Sequence, residues 1–254
     1  VERMADDVTE QDLSAALADA LGPVAQGSGA DFSVAVLDTR SRTSGVHGDG
    51  SYATASIVKV GILAALLLRA EDEGRPLTAQ ERSHAAVMIE QSDNDAATAL
   101  WRTIGGAAGL DAAHQRLGLT ATRAGSGGSW GVTLTTAVDQ LTLLRAIFSD
   151  DSALNGRART YLRALMGRVV DRQSWGVSAA ADGDGSGTRL KNGWMPRDAT
   201  GLWVVNSIGE VPADGRAYLV AVLSEGSADM DSGVALVERA ARTAVATART
   251  YRSR

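Results

Sequence analysis

The chain has 254 residues, 44% of them hydrophobic and 22% charged, with a formal net charge of −5 and no cysteine. That length and apolar content suffice for one well-packed core, and a negative balance without a basic run excludes the electrostatic footprint of a nucleic-acid binder. Lack of cysteine excludes disulfides, thiol nucleophiles and thiolate metal sites, and leaves the compartment open.

The first stretch, "VERMADDVTEQDLSAALADALG", carries acids where a signal peptide needs a basic head and an apolar middle. It reads as a chain without an export signal, as a mature chain with its leader removed would be. Helical periodicity runs from about Asp12 to Leu21, and "GPVAQGSGA" is expected to break it. "DFSVAVLDT" alternates like a strand rich in β-branched residues, and "SGVHGDGS" suggests a short second strand and a turn.

From about Ser56 to Val170 the pattern predicts one continuous helical block. "IVKVGILAALLL" is too short to span a bilayer and contains Lys59, so it reads as a buried helix. "PLTAQERSHAAVMIEQ", "NDAATALWRTIG", "LDAAHQRLG", "TTAVDQLTLLRAIF" and "GRARTYLRALMGRVV" place apolar residues at three- and four-residue steps. A turn at "ADGDGSGT" is followed by the strand-like runs "RLKNGW", "GLWVVNSIGEV" and "RAYLVAVLSEG", then by a last helix from about Asp231 to Thr250. Sheet material at both chain ends with helices between predicts an α/β fold: a sheet built from both termini, covered by terminal helices, with a helical subdomain inserted. The expected organisation is a single domain over 1–254, its α/β part about 1–55 and 186–254 and its helical part about 56–185.

Of the 25 basic side chains only two, Lys59 and Lys191, are lysine. If a helix starts at or just before Ser56, the spacing of Ser56 and Lys59 places hydroxyl and amine on one face within hydrogen-bond reach. Serine needs a base to become a nucleophile. Arginine cannot serve, whereas an amine packed among Ile57, Val58, Val60 and Ile62 has reason to lose its charge. The helix start adds backbone N–H groups for an oxyanion. In "IEQSDNDAATAL", Ser92 is placed to relay a proton to a leaving amine and Asn94 to fix a substrate carbonyl. In "RLKNGW", Lys191 can hold a substrate carboxylate and polarise Ser92. Gly193 permits close approach of a substrate backbone, and the Trp194 N–H can be a second oxyanion donor.

S-x-x-K, S-D-N and a K-x-G strand, in this order and these settings, resemble the serine β-lactamase and penicillin-binding-protein superfamily, from roughly Asp31 to the C-terminus. "MIEQSDNDAATAL" is similar to the class A β-lactamase form of its motif. The resemblance implies a β-lactamase/transpeptidase-like fold with an antiparallel sheet. It implies a serine hydrolase in which β-lactams or related amides acylate Ser56, with Lys59, Ser92 and Lys191 catalytic and Asn94, Asn192, Gly193 and Trp194 substrate-binding. Asn192 stands where the family usually has Thr or Ser, and its amide can still meet a carboxylate. The class A loop glutamate, expected between Leu117 and Thr135, is missing: "LGLTATRAGSGGSWGVTL" holds no acid. Acylation is thereby supported better than rapid hydrolysis of the acyl-enzyme. A D,D-peptidase or transpeptidase acting on peptidoglycan stem peptides, and a penicillin-binding sensor without turnover, are the alternatives left open.

"GGSWG" also fits a nucleophile elbow at Ser129, but no strand precedes it, and His47, His84 and His114 all come before Ser129 when that fold needs a histidine after it. The histidines lack ligand-spaced partners, and "DGDGSG" reads as a turn. No cofactor or metal is implied. The expected partner is a small β-lactam or a peptidoglycan-like peptide, with no nucleic acid and no membrane span. A monomer is favoured, in the envelope or secreted, with the cytoplasm as the other location.

Overall fold

A computed structural model describes residues 2–251, so the outermost ends of the expected 1–254 domain lie outside the described residues. Helix α1 spans Glu2–Gln26, strand β1 Asp31–Asp38 and strand β2 Ser44–His47. After the helical middle come β5 Arg189–Pro196, β6 Trp203–Ala213, β7 Arg216–Ser227 and helix α8 Met230–Thr250. These five strands form one antiparallel sheet in the order β2-β1-β7-β6-β5, so strands from the two chain ends meet at β1–β7 and β5 lies at an edge. The α/β fold expected from the sequence is the one observed.

Period-two alternation sends neighbouring residues of β1 to opposite faces. Val34 and Val36 pack with Leu13, Leu17 and Leu21 of α1 and with Leu236, Val237 and Ala241 of α8, while Ala35 and Leu37 join the core under the helical part. Helix α1 is longer than its periodicity predicts and runs through Pro23. Pro23 forgoes the bond its N–H would have made to the carbonyl of Asp19, and the buried leucine stripe holds the helix against the sheet despite that cost.

The middle of the chain holds α2 Val58–Asp72, α3 Ala79–Glu90, α4 Asn94–Thr103, α5 Gly106–Leu117, α6 Ala137–Phe148 and α7 Gly156–Met166. The block is not continuously helical. Strands β3 Tyr52–Ala53 and β4 Leu134–Thr135 pair antiparallel, and two residues are too few to register as alternation. Helix α2 runs through the centre with every residue from 58 to 66 buried. Such burial contributes about 1.5–3 kcal/mol per large apolar side chain, which makes α2 a stiff post for whatever its first turn carries. Among the described residues no helix is long and apolar enough to cross a membrane.

Candidate active site

Ser56 lies in a 3-10 turn, Ala55–Ile57, that leads into α2. The α-helix therefore starts two residues later than the sequence suggests. Ala55 has φ 46°, a left-handed conformation that costs a non-glycine residue about 1 kcal/mol or more and persists only when its surroundings hold it. Asn206 of β6 supplies that hold: its Nδ2 donates to the carbonyls of Ala53 (2.9 Å) and Thr54 (3.0 Å). The Thr54 N–H donates to Thr133 O at 2.8 Å. Gly193 of β5 closes the other side. A Cβ there would stand 2.7 Å from Ser56 N and Thr54 O and 2.8 Å from Ile57 N, so only bare backbone fits against the nucleophile turn.

Lys59 is the hub of the site. It is fully buried, and its Nζ reaches Ser56 Oγ (3.0 Å), Ser92 O (2.7 Å), Ser92 Oγ (2.9 Å) and Asn94 Oδ1 (2.8 Å). Burial pulls its pKa down from 10.5 to about 8, against a smaller upward pull from Asp93. Two of the four partners are carbonyl oxygens that only accept, and two are hydroxyls that can accept or donate. A neutral amine gives its two hydrogens to the carbonyls and accepts from one hydroxyl. The ammonium gives its third hydrogen to that same hydroxyl. One shell thus satisfies both protonation states, and turning one hydroxyl converts between them.

Ser92 is held at φ 59°, just before α4, whose first turn is capped by Asp93 accepting from the Ala96 N–H at 2.8 Å. The left-handed residue turns both the carbonyl and the hydroxyl of Ser92 onto Lys59. Asn94 has its Oδ1 on Lys59, which leaves Nδ2 as its donor for a substrate carbonyl. Glu90 is paired with Arg168 at 2.8 Å.

Along β5, Lys191 and Gly193 share the face toward Ser56 by strand alternation. Lys191 is fully buried, its Nζ donates to Asn192 O at 3.1 Å, and burial, with Lys59's charge second, holds its pKa well below the usual lysine value. Ser92 Oγ has its hydrogen bond with Lys59 Nζ. Asn192 departs from expectation: its Nδ2 donates to the carbonyls of Gln173 (2.9 Å) and Trp175 (2.7 Å), so its donors are already engaged. Gln173 in turn donates through Nε2 to Gln91 O at 3.0 Å. Asn192 and Gln173 therefore strap β5 to the turn that carries Ser92. The Trp194 ring stacks edge-on against Trp175, with centroids 5.7 Å apart, on the face away from Lys191, so the site receives only its backbone.

The loop closed by the Arg123–Leu134 bridge forms the remaining wall. Its Trp130 ring centroid lies 5.0 Å from Lys59 Nζ, and Trp130 Nε1 donates to Thr98 Oγ1 at 3.1 Å. Sequence reasoning met Trp130 only as part of a Gly/Ser loop and did not single out Asn206 or Gln173. A lone tryptophan in a short glycine-rich loop is the one signal that could have marked Trp130. A groove of about 770 Å³ runs behind β5 past Trp175, Thr188 and Glu238, and none of the residues around Ser56 lines it.

Residues 77–248 match the sequence model of the beta-lactamase enzyme family. The match begins after Ser56 and Lys59 and takes in Ser92, Asn94 and residues 191–194. LppW of Mycobacterium tuberculosis, named as a candidate lipoprotein, is 30% identical over 223 residues, covering 85% of this chain and 69% of that protein. Its namesake in Mycobacterium bovis matches to the same extent. Among solved structures, a PBP-A variant captured as an acyl-enzyme with penicillin G superposes with a TM-score of 0.77 at 24% identity, covering 92% of this chain and 96% of that one. A class A beta-lactamase from Bacteroides cellulosilyticus gives a TM-score of 0.76 at 15% identity, covering 95% and 99%. At these identities the structural likeness concerns the fold.

Proposed function

The chain belongs to the beta-lactamase enzyme family, and from that membership we propose that it is a serine acyl-transfer enzyme, one domain throughout, in which β-lactams or related amides acylate Ser56. The observation that carries this reading is the shell of Lys59, which accommodates the amine and the ammonium alike while touching both hydroxyls that must exchange protons. Neutral Lys59 takes the Ser56 proton as Oγ bonds to the amide carbon. The N–H groups of Ser56 and Trp194 donate to the oxyanion, brought near each other by the close approach of β5 to the nucleophile turn that Gly193 permits. As the carbon–nitrogen bond breaks, Ser92 Oγ gives its proton to the leaving nitrogen and recovers one from Lys59. The net result is one proton lost by Ser56 and one gained by the leaving amine, with Lys59 and Ser92 returned to their starting states. Asn94 Nδ2 meets a carbonyl of the substrate.

Two desolvated lysines, with no carboxylate among the described residues bonded to either, favour an anionic substrate, and a substrate carboxylate would favour the charged form of Lys191. That suits β-lactams and the C-terminal ends of stem peptides equally. Absence of an acid between residues 118 and 134 favours slow transfer to water, as in a D,D-peptidase, a transpeptidase or a sensor. The likeness to LppW, named as a candidate lipoprotein, supports an envelope or secreted location.

The test is intact-protein mass after mixing with excess benzylpenicillin, with Ser56→Ala as control. A penicilloyl adduct on the wild type alone is expected. An adduct of equal yield on Ser56→Ala, or neither adduct nor hydrolysis on the wild type, overturns the reading.

A further inference from the structure

Hydrolysis of an acyl group on Ser56 needs a water whose oxygen bonds to the acyl carbon, whose proton passes to a base, and whose attack releases Ser56 Oγ with a proton. Lys59 is the base at hand, and its surroundings leave little room for such a water. Ser56, Ser92 and Asn94 occupy its polar side, and the Trp130 ring stands 5.0 Å from Nζ on another.

The ring is held in place from several directions. Trp130 Nε1 is tethered to Thr98 Oγ1 of α4 at 3.1 Å. The loop's near end is pinned by Asp111 Oδ1 accepting from the Ala124 N–H (2.7 Å) and by Thr133 Oγ1 accepting from the Gly125 N–H (3.2 Å). Its far end is tied to the nucleophile turn through the Thr54 N–H to Thr133 O bond, 2.8 Å. Gly125 is so tightly enclosed that a Cβ would lie 2.2 Å from Ser129 O. This loop is a stapled wall rather than a loose lid, and it presents an indole where the resemblance leads one to look for a carboxylate.

Building on the acylation reading above, we propose that Trp130 is a positioning residue that keeps water from the base and the ester, so that the acyl-enzyme on Ser56 is long-lived. By shielding the amine from water, the ring also holds Lys59 toward its neutral form. Trp130 does not touch the acyl carbon; it acts through Lys59 and through the space it fills.

The experiment compares wild type, Trp130→Ala, Trp130→Phe and Thr98→Val, each first checked for a cooperative melt. Two readouts are taken: decay of the penicilloyl adduct by intact mass after excess drug is removed, and the pH midpoint of acylation. Trp130→Ala is expected to shorten adduct lifetime about tenfold or more and, because burial is what depresses the Lys59 pKa, to raise the pH midpoint of acylation as water reaches the amine. Trp130→Phe should keep most of the midpoint, and Thr98→Val, which cuts only the tether, should accelerate decay a few-fold. Should Trp130→Ala fail to fold, the other two variants decide. Lifetimes and midpoints unchanged across the folded variants overturn the role of Trp130 and leave Ser56 acylation standing. A wild type that hydrolyses the drug without a persistent adduct removes the role of Trp130 alone, and one that shows neither adduct nor hydrolysis removes both.

Discussion

The sharpest consequence of the site concerns pH. If neutral Lys59 is the base and its pKa is about 8, its neutral fraction is about 1% at pH 6, about 10% at pH 7, half at pH 8 and near complete at pH 9.5. The second-order rate of Ser56 acylation should therefore climb about tenfold per pH unit up to pH 7, bend near 8 and level off above 9, a total rise of about 100-fold. A lysine left at its ordinary value would give a rate still climbing at pH 9.5. Rapid-mixing acylation with a chromogenic cephalosporin at fixed ionic strength measures this directly. The same shift must appear in stability. Lys59 binds its proton less tightly folded than unfolded, so the unfolded chain holds more protons between about pH 8 and 10.5, and folding becomes more favourable as pH rises through that window. The fall from 10.5 to about 8 corresponds to about 3 kcal/mol. Urea midpoints of wild type and Lys59→Met should diverge across the window by an amount of that order, because the variant has lost the titration while its cavity and orphaned acceptors cost the same at every pH. A flat acylation profile, a midpoint above 9.5, or a wild-type-to-variant difference that is constant from pH 8 to 10.5 would refute the reasoning.

Two glycines on either side of the site should respond in opposite ways. Gly193→Ala forces a Cβ to within 2.7 Å of Ser56 N and Thr54 O, atoms already held by β6 and the loop, so β5 must move. Acylation is expected to fall about 100-fold, as for a misplacement of about 1 Å, with about 1–3 kcal/mol lost in chemical denaturation. In Gly61→Ala the new methyl meets nothing closer than His114 Nε2 at 3.6 Å, within an otherwise regular α2. Relief of glycine's entropy cost should raise stability by about 0.5–1 kcal/mol, visible as a higher urea midpoint, with acylation unchanged within twofold.

The parts of the fold and site that were legible in the sequence rest on local rules. The buried α2 follows from an apolar run interrupted by Lys59, β1 from alternation, β7 from a strand-like apolar run, and the Ser56–Lys59 contact from the three-residue spacing that survives even though a 3-10 turn replaces the expected helix start. Lysine at 59 and 191 in an arginine-rich chain is a chemical choice, and both lie fully buried beside the nucleophile turn. Resemblance to a known family added the order of the three motifs and the missing loop acid.

What the tertiary structure alone decided are contacts between residues far apart in the chain. Asn206 grips the carbonyls of Ala53 and Thr54 across more than 150 residues. Asn192 turns from a substrate carboxylate to the carbonyls of Gln173 and Trp175. Ser92 brings its carbonyl as well as its hydroxyl onto Lys59, and Trp130 comes to rest over an amine 71 positions before it in the chain. A hydroxyl, amide or indole in a sequence states what it can donate or accept, whereas its partner is set by how strands and loops stack, because hydrogen bonds and burial depend on distances that only the packed chain defines.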